Sequence, residues 1–249
     1  MQSLDQGTRT SEPRPLLRSA YRSLLQMQKG VWVRPQLKVL NGRGISPRNG
    51  AAMCCIKGEA ILFGGSLERV QRVARTGNLT NDLHSFRLLP AIADPEALSE
   101  AALLRALQER QAVAPDELHD QASLVQRAAE AALEPIMLSK QLQTAGESPS
   151  GRWGHSFTAV RLAVPGGGCE EAGVVLGGWP GEEGDALQPY LLRWREEGFG
   201  WEAPEISGEA PPSRAFHSAT EVSPGLVLVY GGLGDLGVGD AIAVLDLDA

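Results

Sequence analysis

Apolar residues in this chain come in short runs that glycine cuts off. Ala60-Ile61-Leu62-Phe63, Gly173-Val174-Val175-Leu176 and Leu226-Val227-Leu228-Val229-Tyr230 each end in Gly-Gly, at Gly64-Gly65, Gly177-Gly178 and Gly231-Gly232. Brief aliphatic and β-branched runs of this kind predict buried strands. An alternating segment follows each pair, over residues 81–88, 190–194 and 240–247. Further segments led by a large apolar residue start at Trp32, Ile136 and Trp201. Ahead of two of the runs stand near-copies of one motif, Pro149-Ser150-Gly151-Arg152-Trp153-Gly154-His155-Ser156 and Pro211-Pro212-Ser213-Arg214-Ala215-Phe216-His217-Ser218. A weaker third copy, Pro47-Arg48-Asn49-Gly50, continues with Ala51-Ala52 where the others have His-Ser. Repetition of this kind constrains architecture before any single residue is interpreted.

Units of four short strands, with Gly-Gly after the second and a large apolar residue leading the fourth, resemble a kelch repeat over about residues 31–249, less one insertion. The resemblance implies an all-β chain: a partial kelch-type β-propeller of about three four-stranded blades. Gly177 and Gly231 are 54 residues apart, close to one such repeat, whereas Gly64 and Gly177 are 113 apart, so the first unit carries extra sequence. The motif residues Gly64, Gly65, Arg152, His155, Gly177, Gly178, Arg214, His217, Gly231 and Gly232 read as structural. The glycines permit close backbone approach, and the arginines and histidines are expected to satisfy carbonyls between blades.

The extra sequence, about residues 91–134, reads as an α-helical hairpin. Asp94-Pro95 has the form of an N-cap followed by proline, and Leu98, Ala101, Ala102 and Ala106 recur at helical spacing. Pro115 opens a second helix with Leu118, Ala122, Val125, Ala129 and Ala132 on one face. The expected spans are roughly 95–112 and 116–133, as surface decoration or as a docking element. Trp32 reads as the fourth strand of a unit lacking its first three, and the third unit stops before its own fourth. Three blades do not close a normal ring. The expectation is a fragment of a larger protein, with degenerate blades or completion by a second chain as alternatives.

The net charge of −7 is unevenly spread: residues 1–80 hold 13 Lys/Arg and 4 Asp/Glu, residues 81–249 hold 10 and 26. Arg69, Arg72 and Arg75 recur every third residue and are the expected partner-binding set, against the reading of a solvated charge run. The polarity also allows self-association. The body is too acidic for nucleic acid, and no apolar stretch is long enough for a membrane helix. Residues 1–30 read as a poorly ordered basic leader. Cys54, Cys55 and Cys169 form no C-x-x-C pair, which favours a reducing, cytoplasmic setting. The sequence therefore predicts a protein-interaction scaffold with no cofactor, metal or catalytic residue. The alternative is a kelch-type enzyme related to copper oxidases, for which His84, His119, His155 and His217 are the available nitrogen ligands.

Overall fold

A computed structural model describes residues 34–67, 78–89, 92, 94–110, 120–131, 135–180, 187–234, 237–238 and 242–248. The chain is mostly β. It divides into two compact units, one made of Met1–Lys38 and Leu88–Leu138, the other of Val39–Arg87 and Ser139–Ala249. Among the described residues no helix is long and apolar enough to cross a membrane.

The first sheet contains β1 (Gln36–Asn41), β2 (Ala52–Ile56), β3 (Glu59–Phe63), β4 (Leu83–Leu89) and β5 (Ile136–Leu142), in the order β1-β5-β4-β3-β2. It has five strands where four were expected, because β1 joins this sheet beside β5. The segment starting at Trp32 thus feeds the first unit's own sheet; Trp32 itself lies outside the described residues. The second sheet has the expected four strands, β7 (Ser156–Ala163), β8 (Cys169–Leu176), β10 (Tyr190–Arg195) and β11 (Gly198–Glu202), in the order β11-β10-β8-β7. The third has three, β12 (Ser218–Ser223), β13 (Leu226–Tyr230) and β16 (Ile242–Asp246), in the order β12-β13-β16. Two-residue ladders, β6 (Arg152–Trp153) with β9 (Trp179–Pro180) and β14 (Leu233–Gly234) with β15 (Gly237–Val238), complete the β structure. Pairing is antiparallel between β2, β3 and β4, throughout the second and third sheets and in both short ladders. Gly166, Gly167 and Gly168 turn the chain between β7 and β8, all with positive φ.

The three sheets stack through two apolar layers. Ile56, Ile61, Phe63 and Leu83 of the first sheet meet Phe157, Val175, Leu192, Phe199 and Trp201 of the second. Val160, Leu162, Val174, Leu176 and Leu191 of the second meet Val227 and Val229 of the third. Each such side chain contributes roughly 1.5–3 kcal/mol on burial. Over Ala172–Leu176 strand β8 is covered on both faces, Val175 in one layer and Val174 in the other, which explains the unbroken apolar run there. Strand β13 has the same kind of sequence but only Val227 and Val229 are buried, and Tyr230 is 56% exposed. The expectation of a buried strand holds for one of its faces.

In the other unit, a 3-10 turn at Pro95–Ala97 precedes helix α1 (Glu100–Glu109), and α2 spans Gln121–Ala131. Asp94 makes no side-chain cap; Ser99 caps instead, its Oγ accepting from Ala102 N at 3.3 Å. The start expected at Asp94-Pro95 therefore moves to Ser99. The start expected at Pro115 lies outside the described residues, and Asp120 Oδ1 caps the described helix by accepting from Ser123 N at 2.7 Å. The helices pack through Leu103, Leu107, Leu124 and Ala128; of the expected faces, Leu98, Ala106 and Val125 pack partly against them, while Ala101, Ala102 and Ala122 are exposed. Leucine buries more area than alanine, so the leucine-bearing face turns inward.

Candidate functional site

The repeated motif builds the same small machine three times. Arg48 donates to the Ser46 carbonyl at 3.2 Å and to the Gly64 carbonyl at 3.0 Å. Arg152 donates to Ser150 O at 3.1 Å and Gly177 O at 3.0 Å. Arg214 donates to Pro212 O at 3.1 Å and Gly231 O at 3.2 Å. Each arginine thus ties the start of its unit to the first glycine of its own Gly-Gly pair. The expectation that these arginines bridge between units is corrected: a guanidinium that folds back two residues reaches only its own sheet.

The links between sheets are made by other groups. Gly65 N donates to Arg152 O at 2.8 Å, and Gly178 N to Arg214 O at 2.9 Å. A second row runs from Gly154 N to Gly50 O at 2.8 Å and from Phe216 N to Gly154 O at 2.6 Å. The first glycine of the pair, Gly64 or Gly177, permits this approach. A Cβ on Gly64 would lie 2.9 Å from both Arg152 O and His155 Cε1. Histidines fill the same junctions. His217 Nε2 lies 2.9 Å from Ser156 Oγ of the neighbouring sheet. His155 packs edge-on against Phe63 at 5.4 Å, and neither of its ring nitrogens has a hydrogen-bond partner in the described structure.

The repeat explains that orphan. Ser156 pairs with Leu176, which precedes Gly177, and Ala52 pairs with Phe63, which precedes Gly64. Ala52 is therefore the counterpart of Ser156, and it lacks the hydroxyl that His155 would need. We expect Ala52→Ser to raise stability by about 1 kcal/mol, the usual net worth of a hydrogen bond. Ser156→Ala should cost about 1–3 kcal/mol by stranding His217. Urea midpoints of the two variants check both; an unchanged Ala52→Ser midpoint would show that the junctions are not equivalent.

Electrostatics follow from burial. Burial, the Arg152 charge and, more weakly, His217 push the His155 imidazole down to about 3. Burial and the Arg214 charge push His217 down to about 4. Both rings are neutral at physiological pH. Burial alone would raise the Asp82 carboxyl, but hydrogen bonds from Arg48, His84 and Thr80 outweigh it and hold it below the usual range. Arg48 and Asp82 form an ion pair, and His84 Nε2 sits 3.0 Å from Asp82 Oδ2. In the second unit, Arg152 lies over the Tyr190 ring instead, 5.2 Å from its centroid.

Two features escaped the sequence reading. Trp153, Trp179 and Phe216 form a mutual aromatic cluster with centroids 5.2–5.4 Å apart. Phe216 is 49% exposed. Its φ of 58° is rare for a non-glycine residue, and the repeat signals it: Phe216 occupies the position of Gly50 and Gly154, at φ 59° and 68°. A groove of about 310 Å³ is lined by the buried Leu176, Leu187 and Val229 and by the exposed Glu205, Glu209 and Asp246.

Arg69, Arg72 and Arg75 lie outside the described residues, as do His119 and the basic leader. Among the described residues no three or more His, Cys, Asp or Glu cluster so as to hold a metal. Cys54 faces the first apolar layer while Cys55 is exposed, and burial pushes the Cys54 thiol up. No protein-family model matches the chain, and no curated protein matches it. A solved structure, "Structure of YjhT", is similar at 15% identity with a TM-score of 0.41, over 81% of this chain and 50% of that one. The chain spans half the length of that structure.

Proposed function

We propose that this chain is a kelch-type repeat module that acts by binding protein, with no chemistry of its own. One observation carries the reading: the motif's polar residues are committed to bonds inside the fold, the arginines within their own sheets and His217 to the neighbouring one. Arg48, Arg152 and Arg214 each clasp a Gly-Gly carbonyl, and His217 is held by Ser156. The alternative, a copper-oxidase-like enzyme, would need convergent nitrogen ligands. His84, His155 and His217 instead serve three separate positions, and His84 is engaged with Asp82. Recognition then falls to loops and open surfaces, as is usual for scaffolds that position variable segments.

The contact set we assign is Arg69, Arg72 and Arg75, in the segment after Gly64-Gly65, and the partner is an acidic protein surface. Neither nucleic acid nor membrane is a partner in this reading. Exposed ion pairs contribute about 0–1 kcal/mol each, so all three must be reversed. The triple Arg→Glu variant should lose roughly 10- to 100-fold in partner affinity with its melting curve unchanged. Wild-type binding should weaken as salt rises, since charges are screened over about 8 Å at physiological ionic strength. Identical partners retained by both proteins in a low-salt pull-down would remove the arginine row from the interface.

A further inference from the structure

Two of the four asparagines in the chain, Asn41 and Asn49, are followed by glycine. That order matters chemically. The backbone nitrogen of the next residue can attack an asparagine carboxamide, and glycine, having no Cβ, obstructs the approach least. The other two, Asn78 and Asn81, precede leucine and aspartate.

The fold treats the two Asn-Gly sites differently. Asn49 is clamped. Its N–H donates to Ser66 O and its carbonyl accepts from Ser66 N, both at 2.9 Å, and Gly50 O accepts from Gly154 N at 2.8 Å. Asn41 is the last residue of β1, an edge strand of the first sheet, and both Asn41 and Gly42 are exposed. Gly42 has φ 68°, so the chain leaves the strand at that point and faces solvent.

One contact at Asn41 sits where this chemistry needs it. Gln141 N donates to Asn41 Oδ1 at 3.0 Å. When Gly42 N adds to Asn41 Cγ, negative charge collects on Oδ1. A backbone N–H already bonded to that oxygen stabilises the charge as it develops.

We propose that Asn41 is a site of self-modification: it closes on Gly42 N to a succinimide, loses ammonia and opens in water to aspartate or isoaspartate. Solvent hydroxide takes the Gly42 N–H proton, the nitrogen pair forms a bond to Cγ, and the carbonyl pair moves onto Oδ1. That pair returns as the Cγ–Nδ2 bond breaks, and Nδ2 leaves as ammonia with a proton from water. Water then opens the ring. Attack at Cγ breaks the new N–Cγ bond and gives aspartate. Attack at the main-chain carbonyl breaks the original peptide bond and gives isoaspartate, whose chain runs through Cβ and Cγ. The sum is amide plus water to carboxylate plus ammonium, with no change of oxidation state. The reaction acts on the chain itself, so it stands apart from the binding reading above.

The two products differ in consequence. Aspartate keeps an oxygen for Gln141 N and adds only a charge. Isoaspartate lengthens the backbone by one carbon beside Gly42, where even a Cβ would lie 2.8 Å from Gln141 Oε1 and 2.9 Å from Gln141 Cβ. The end of β1 then loses its hold on Gln141.

Peptide mapping by mass spectrometry tests the proposal, on the intact chain held at neutral to mildly alkaline pH with and without urea. In urea both Asn-Gly sites should convert at similar rates, because both precede glycine. In the folded chain Asn41 should go on converting, faster as pH rises. Asn49 must wait for local opening of the three backbone bonds named above, which should slow it by roughly a hundredfold. Isoaspartate should appear at position 41 beside aspartate. Folded Asn49 that keeps pace with Asn41 overturns the proposal. So does Asn41 that converts in urea but stays intact in the folded chain.

Discussion

Gly177→Ala is expected to remove on the order of 3–5 kcal/mol of stability, enough to unfold a domain of ordinary stability. Gly177 has φ 57°, a region where a Cβ costs about 1–2 kcal/mol by itself. The added Cβ would also lie 2.8 Å from His217 Cε1 and against the Arg214 carbonyl. That carbonyl is fixed by the 2.9 Å bond from Gly178 N, so it does not move without breaking the junction between the second and third sheets. Gly58→Ala is the control: its φ is 76° and nothing lies within 4 Å of an added Cβ. It should lose only the conformational share, about 1 kcal/mol. Equal losses in the two variants, read from urea midpoints, would show that close approach of neighbouring units is not why the glycine is there.

The second large effect is acid sensitivity well above the carboxylate range. An unfolded histidine titrates near 6.5, whereas folded His155 and His217 are pushed down to about 3 and about 4. Below pH 6.5 the unfolded chain takes up two protons that the folded chain refuses, so stability falls as pH falls. The full contribution is present above pH 6.5, and the loss continues until the folded values are reached. Each ring adds a slope of about 1.4 kcal/mol per pH unit, or about 2 kcal/mol apiece by pH 5. Asp82, also held low, adds to the loss only below the ordinary carboxylate value, so the window from pH 6.5 to 5 isolates the histidines. Urea unfolding of His155→Gln across that window should show the slope reduced by one proton. An unchanged slope would mean that His155 is solvated or charged in the folded protein.

Much of the junction was legible in the sequence because the repeat aligns it. The Gly-Gly pairs mark strand ends where neighbouring units touch, and the arginines recur at one offset from them. The direction of the arginine bonds was not legible. A side chain that satisfies a carbonyl looks the same in sequence whether the carbonyl belongs to its own unit or the next. The left-handed Phe216 was readable only by comparison with Gly50 and Gly154, since phenylalanine itself signals nothing about φ.

The helical segment divides in the same way. Its apolar period announced helices, but both the Ser99 cap and the Leu103–Leu107 face depended on competition between neighbouring residues. Asp94-Pro95 met the local rule for a helix start, yet the chain turned once and began its helix at Ser99. The alanines had the right spacing, but the leucines offered more area to bury.

What the sequence by itself determined is a mostly β chain, the main strand runs and the repeated residues at the junctions, because strand runs, glycine stops and repeats are local signals. Tertiary structure alone decided that β1 joins the first sheet, that β8 is covered on both faces while β13 is covered on one, and that Ala52 leaves His155 without a partner. Those outcomes depend on which surfaces meet, and contacts between residues far apart in sequence leave no local mark on either one.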